Sequence, residues 1–150
     1  MGRGEFPTTG LFTTATKVDV EYTYADGVKM FLKTGGGGTR FNGSEGWVYV
    51  NRGKLDAEPK AILDSVIGPN EIHLYESNNH MQNFLDCIKN RKDPICNAEV
   101  GHRSSTVCHL ANIAMLLDRQ LKWDPKAELF PGDDEATRMT WRARRSPWIL

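Results

Sequence analysis

The sequence has no apolar run near the ~20 residues that a membrane-spanning helix requires, which excludes a helical integral membrane protein. Its first residues, Met1-Gly2-Arg3-Gly4-Glu5-Phe6-Pro7, lack the apolar centre of a secretory signal. They read as the start of a piece cut from a longer gene, so an export signal further upstream stays open. Cysteine is scarce: Cys87, Cys96 and Cys108 are odd in number and without CxxC spacing, which excludes a disulfide framework and suits reduced thiols in a cytoplasmic compartment. Charge of one sign is missing too, with 19 Lys plus Arg against 19 Asp plus Glu and an isoelectric point of 6.9. A nucleic-acid partner needs a basic surface, and this balance argues against one.

What is present is an ordinary globular composition, 39% hydrophobic and 25% charged over 150 residues. A chain of this size buries enough surface to fold without disulfides or a metal. It is short for separate cofactor and substrate domains. Residues 1–150 therefore read as a single domain with room for one role.

From Lys17 to Val50 the pattern has period two. Val18, Val20, Tyr22 and Tyr24 share one face, Ala25-Asp26-Gly27 supplies a turn, and Val28 to Leu32 returns as a hairpin arm. Thr39-Arg40-Phe41 and Trp47-Val48-Tyr49-Val50 follow, joined by Gly43-Ser44-Glu45-Gly46, so the first third predicts a four-stranded meander. From Glu76 the period becomes helical. Met81, Phe84, Leu85 and Ile88 fall at i, i+3, i+4 and i+7 behind the cap candidates Ser77 and Asn79, and Asp93-Pro94 stops that helix. A longer helix is predicted from Glu99 to Leu117, with Val107, Leu110, Ala111, Ala114 and Leu117 on its buried stripe. Ala57 to Val66 predicts a short helix, Leu121-Lys122-Trp123 an edge strand, and Asp133-Asp134-Glu135 opens a last helix through Met139. The fold class is α+β: a mostly antiparallel open sheet with helices packed on one face. Residues 141–150 read as an extended tail.

Candidate chemistry is sparse. Gly35-Gly36-Gly37-Gly38 fits neither GxGxxG nor GxxxxGK[ST], since Arg40 and Phe41 occupy the needed positions, and it reads as a loop. His102 and His109 are seven residues apart, about 10.5 Å along a helix, where an i, i+4 pair is needed to share an ion. The expectation is no metal. No GxSxG surrounds a serine, and Ser104-Ser105 in a first helical turn suits a backbone hydrogen bond. Two helix starts present polar groups, Asn79-His80 and His102-Arg103. These four are the substrate-facing candidates, weighed against simple capping and surface networks. Trp47 reads as core, while Trp141 and Trp148 lie in the tail. Arg138, Arg142, Arg144 and Arg145 read as complements to a helix C-terminus and nearby acids.

Four stretches carry a resemblance: Phe41 to Gly53 (FNGSEGWVYVNRG), Glu76 to Ile88 (ESNNHMQNFLDCI), Val100 to Leu110 (VGHRSSTVCHL) and Leu121 to Pro125 (LKWDP). Together they resemble the C-terminal domain of the Gfo/Idh/MocA oxidoreductases. The resemblance implies a two-domain parent enzyme, a Rossmann domain with NAD or NADP followed by an α+β domain that binds a small sugar-like or cyclitol substrate and forms a homodimer or larger homo-oligomer through its sheet. The family's glycine fingerprint, its Glu-Lys-Pro lysine motif and its Asp-x-x-x-His motif are absent here, so the resemblance assigns this chain no catalytic and no cofactor-binding residue. It implies a bacterial substrate-binding and oligomerisation part, inactive alone. The alternative is a self-standing carbohydrate-binding or scaffolding module without redox activity.

Overall fold

The computed structural model describes residues 1–147; Trp148, Ile149 and Leu150, the end of the expected tail, lie outside the described residues. The strands are β1 (Gly2–Glu5), β2 (Lys17–Thr23), β3 (Lys29–Lys33), β4 (Thr39–Asn42), β5 (Trp47–Asn51) and β6 (Lys54–Glu58). A 3₁₀ turn (Lys60–Asp64) and helices α1 (His80–Asn90), α2 (Ala98–Leu117) and α3 (Asp134–Arg138) follow. The class is α+β with antiparallel sheets throughout. The chain forms two compact units, one of Met1–Thr34 with the chain from Ala98 onward, the other of Gly35–Asn97.

In the first unit the sheet order is β1-β2-β3. Val20 opposes Leu32 on β3 and Gly2 on β1, and Asp26 caps the hairpin turn by accepting from Val28 N at 3.0 Å. α2 lies on this sheet, and Val20, Ala111 and Met115 form the buried contact. Gly2 is what lets β1 approach so closely: a Cβ there would stand 3.0 Å from Ala114 Cβ and 3.2 Å from Met115 N. Tyr22 donates its hydroxyl to Val107 O at 2.8 Å, and partial burial pushes its pKa up to about 12. A second cluster joins Ile113 of α2 to Phe130 and Ala136, flanked by Leu110, Leu117, Leu121, Trp123 and Met139. Of the stripe expected on α2, Ala111 and Ala114 are buried while Val107, Leu110 and Leu117 are half-buried; Ile113 and Met115, outside that stripe, are buried as well because the helix packs on two sides, against the sheet and against the second cluster.

In the second unit the order is β4-β5-β6, with Phe41, Val48 and Ala57 in register across it. The 3₁₀ turn packs on β6, and only Ala57 and Cys87 among the unit's apolar side chains are buried.

Three expectations are corrected. The four-stranded meander is two sheets, because Gly35, Gly36, Gly37 and Gly38 all hold φ between 55° and 127°, a left-handed path that cannot continue an extended ladder. Strands β1 and β6 were not anticipated, since β1 carries two glycines and β6 only a short alternation. Leu121-Lys122-Trp123 is not a strand: Leu121 and Trp123 pack into the second cluster, and pairing there is limited to a bridge between Asp124 and Leu129.

Candidate functional site

The first turns of α2 gather the densest polar cluster. α2 starts behind Asn97 with Glu99 in its first turn, so Glu99, His102 and Arg103 project from neighbouring positions of one helical face. Opposite them, the loop from Asp124 to Leu129 closes on itself. Asp124 Oδ1 accepts from Lys126 N at 2.8 Å and Ala127 N at 2.9 Å, and Asp124 N donates to Leu129 O at 2.9 Å. This closure holds Glu128 at φ 54°, a left-handed conformation that glutamate seldom adopts. The Glu128 carboxylate is then met by His102 Nε2 at 2.7 Å and by Arg103 Nη1 at 3.0 Å. Arg103 also donates to Pro125 O at 2.9 Å and, through Nε, to Glu99 Oε1 at 2.7 Å.

The hydrogen bond from His102, then the charges of His102 and Arg103, hold Glu128 below the usual carboxylate range. Glu128 is therefore ionised near neutrality and accepts from both neighbours. Glu99 and Glu128 correspondingly raise the Arg103 guanidinium. Chemically the cluster is a saturated clamp that fastens the 124–129 loop to α2. Ser104 returns its hydroxyl to Val100 O at 2.8 Å, the backbone bond expected of a first-turn serine.

Asn79 and His80 belong to the other unit. Asn79 is the N-cap of α1, its Oδ1 accepting from Gln82 N at 2.9 Å. His80 is the helix's first residue and is exposed. Two groupings in this unit escaped the sequence reading. Asn83 donates through Nδ2 to Tyr75 Oη and accepts through Oδ1 from Ile95 N at 3.0 Å, beside the buried Cys87, whose Sγ lies 3.5 Å from Asp93 O. The i, i+4 spacing of Asn83 and Cys87 was the available signal. On sheet β4-β5-β6, the Arg40 guanidinium stacks 4.3 Å from the Trp47 ring, so Trp47 is half-buried rather than core. On the same face Asp56, held by Lys60 and Lys54, has its pKa lowered to about 2. Only register, which places Arg40 opposite Tyr49 and Asp56 beyond it, reveals that face.

Residues 11–150 match the model of the oxidoreductase family, C-terminal alpha/beta domain, of the Gfo/Idh/MocA group. The chain belongs to this family. No curated protein and no solved structure matches it significantly.

As a Gfo/Idh/MocA C-terminal domain the chain prompts a test for the nicotinamide cofactor. A dinucleotide needs backbone amides at a helix that opens from a glycine-rich turn. Here Gly35 to Gly38 lead from β3 into β4, and Gly37 O accepts the Tyr49 hydroxyl at 2.5 Å. These four glycines therefore open onto a strand and not onto a helix. Among the described residues no three His, Cys, Asp or Glu side chains converge on a possible metal position, and no helix is long and apolar enough to cross a membrane.

Proposed function

We propose that this chain is the substrate-binding and oligomerising part of an NAD(P)-dependent oxidoreductase that acts on a hydroxyl of a sugar or cyclitol, with no turnover by itself. The observation that carries the reading is the match to a C-terminal oxidoreductase domain over residues 11–150. Hydride transfer also needs an acid–base group within hydrogen-bond reach of the reacting hydroxyl. His102 is engaged by Glu128, and Arg103 by Glu99, Glu128 and Pro125, so their part is to shape a surface that receives hydroxyl groups.

Oligomerisation is supported by what the second sheet leaves bare: Phe41, Val50 and Leu55 share its apolar face and are exposed. Three unpaired cysteines, with Cys96 and Cys108 exposed, support a reducing, cytoplasmic setting.

Two measurements test the reading. Calorimetry of the chain with NADH, and with a panel of hexoses and inositols, should show no cofactor binding and no redox turnover. The coding sequence upstream of Met1 should continue in frame into a glycine-fingerprint nucleotide-binding region. An upstream region without that fingerprint overturns the proposal. The Arg40–Trp47 stack favours a second reading, a carbohydrate-binding module, because aromatic faces rimmed by donors suit sugar rings. Tight sugar binding by the chain alone would select it.

A further inference from the structure

The helices end on charges of different sign. α1 has Lys89 in its last turn and Arg91 at its cap, and α3 has Arg138, cations that suit the negative end of a helix dipole. α2 has no basic residue in its last turn, and the chain leaves it through Asp118 at φ 45°. A carboxylate is disfavoured there twice, by the dipole and by a left-handed conformation that glycine adopts at less cost. Residues held against such costs cluster where ligands are gripped.

Asp118 borders a cleft of about 860 Å³ between the end of α2 and strands β1 and β2. That volume is on the scale of small-molecule pockets. Phe6, Val18, Met115 and Leu116 supply its apolar walls. Its sheet side holds Arg3, Lys17, Lys33 and the Met1 amine against Glu5 and Asp19, an excess of positive charge. Lys17 pairs with Glu5 at 2.8 Å, Lys33 with Asp19 at 3.3 Å, and the Met1 amine donates to Glu21 O at 3.0 Å.

Arg3 lies across the ladder from Asp19, yet neither Arg3 nor Asp118 forms an ion pair among the described residues. Arg119, next to Asp118, is taken by Asp133 and Glu135. The cleft therefore offers an uncommitted guanidinium on its positive sheet side and an uncommitted carboxylate at the helix end, where the last carbonyls of α2 add acceptors. A small molecule complementary to it carries an anion, a cation and an apolar body.

We propose that this cleft binds a small amino acid, with its ammonium on Asp118 and the last carbonyls of α2 and its carboxylate on Arg3. The inference does not draw on the oxidoreductase reading, because β1 precedes the matched residues 11–150.

The test is a titration of the isotope-labelled full chain, followed by amide NMR shifts, with four ligands. Leucine and ε-aminohexanoate carry both charges at different separations, while hexanoate and hexylamine carry one each. At least one of the first two should bind roughly tenfold or more tighter than both of the others, with shifts confined to β1, β2 and the end of α2. Arg3→Gln should weaken that ligand by roughly fivefold or more and leave hexylamine unchanged. Asp118→Gly suits φ 45° and removes the charge that the dipole opposes, so it should raise the urea midpoint while abolishing binding of the same ligand. A merely structural Asp118 would not separate stability from binding in this way. No saturable shift up to about 10 mM of any ligand, single-charge ligands that bind equally well, shifts centred on the other unit, or binding that survives Asp118→Gly would each overturn the proposal.

Discussion

The two three-stranded antiparallel sheets are built alike and finished differently. In the first unit a 20-residue helix covers β1 and β2, and Val20, Ala111, Met115, Ile113, Phe130 and Ala136 are withdrawn from water. In the second, the covering element is a short 3₁₀ turn packed mainly on β6, and Phe41 and Leu55 remain 62% and 61% exposed. A fully buried large apolar side chain contributes roughly 1.5–3 kcal/mol, so the first unit holds most of the chain's own folding energy. The second keeps its apolar area available for contacts made outside itself. That asymmetry suits the proposal that the chain is one part of a larger enzyme.

The sharpest way to break the comparison is Phe130→Ala. Phe130 is 2% exposed and meets Trp123 edge-on with centroids 5.0 Å apart. Truncating a buried phenylalanine costs about 3–5 kcal/mol. Urea unfolding followed by tryptophan fluorescence should show this loss. A change under about 1 kcal/mol would mean that the first unit does not depend on its second cluster.

The largest effect expected in the second unit comes from backbone rather than burial. Gly46 has φ 154°, and a Cβ there would stand 2.1 Å from Glu58 O and 2.8 Å from Pro59 Cδ. Gly46→Ala must push β5 and β6 apart at their paired end, at a cost of about 1–3 kcal/mol. Hydrogen exchange should accelerate at the β5 and β6 amides while α2 amides keep their protection. Acceleration spread equally over both units would show that they unfold as one.

The same contrast explains what the sequence could reveal. Helices α1 and α2 were legible because their apolar residues recur at the helical period, and the β2-β3 hairpin because Asp26-Gly27 marks its turn. Strand β1 was illegible, because Gly2 and Gly4 are poor strand formers that sit where α2 comes closest. The division into two sheets was hidden in four glycines, whose left-handed path a composition cannot show. Of the four candidate site residues, His102 and Arg103 were visible by type. Their partner Glu128 was not, since a separation of more than 20 residues and a positive φ leave no periodic trace.

Acid titration sharpens the comparison without disturbing either core. Asp133 caps α3 and is bound by Arg119, and Asp56 is bound by Lys60 and Lys54; each pKa is lowered to about 2 from the ordinary 3.8. A lowered folded-state pKa means that the stabilisation is fully present above the unfolded value and is lost as pH falls through the folded one. Both units should therefore hold steady above about pH 5 and weaken between about pH 4 and pH 2. Asp133→Asn should flatten that slope in the first unit only, and Asp56→Asn in the second only, read as the urea midpoint against pH. An unchanged slope in either variant would remove that carboxylate from the acid response.

The smallest expected effect is the most telling about the bare sheet. Leu55 opposes Val50 on the apolar face of β4-β5-β6, and at 61% exposure it has little burial to lose. Leu55→Ser should shift urea stability by no more than about 0.5 kcal/mol when the chain is dilute, as surface substitutions do. If the face is a contact surface, the same variant should lower the apparent mass seen by light scattering as concentration rises, because a polar group would then sit where apolar groups meet. A loss of 2 kcal/mol or more in dilute solution, on the scale of truncating a buried side chain, would instead show that Leu55 is covered within the isolated chain, and the two sheets would then be finished alike.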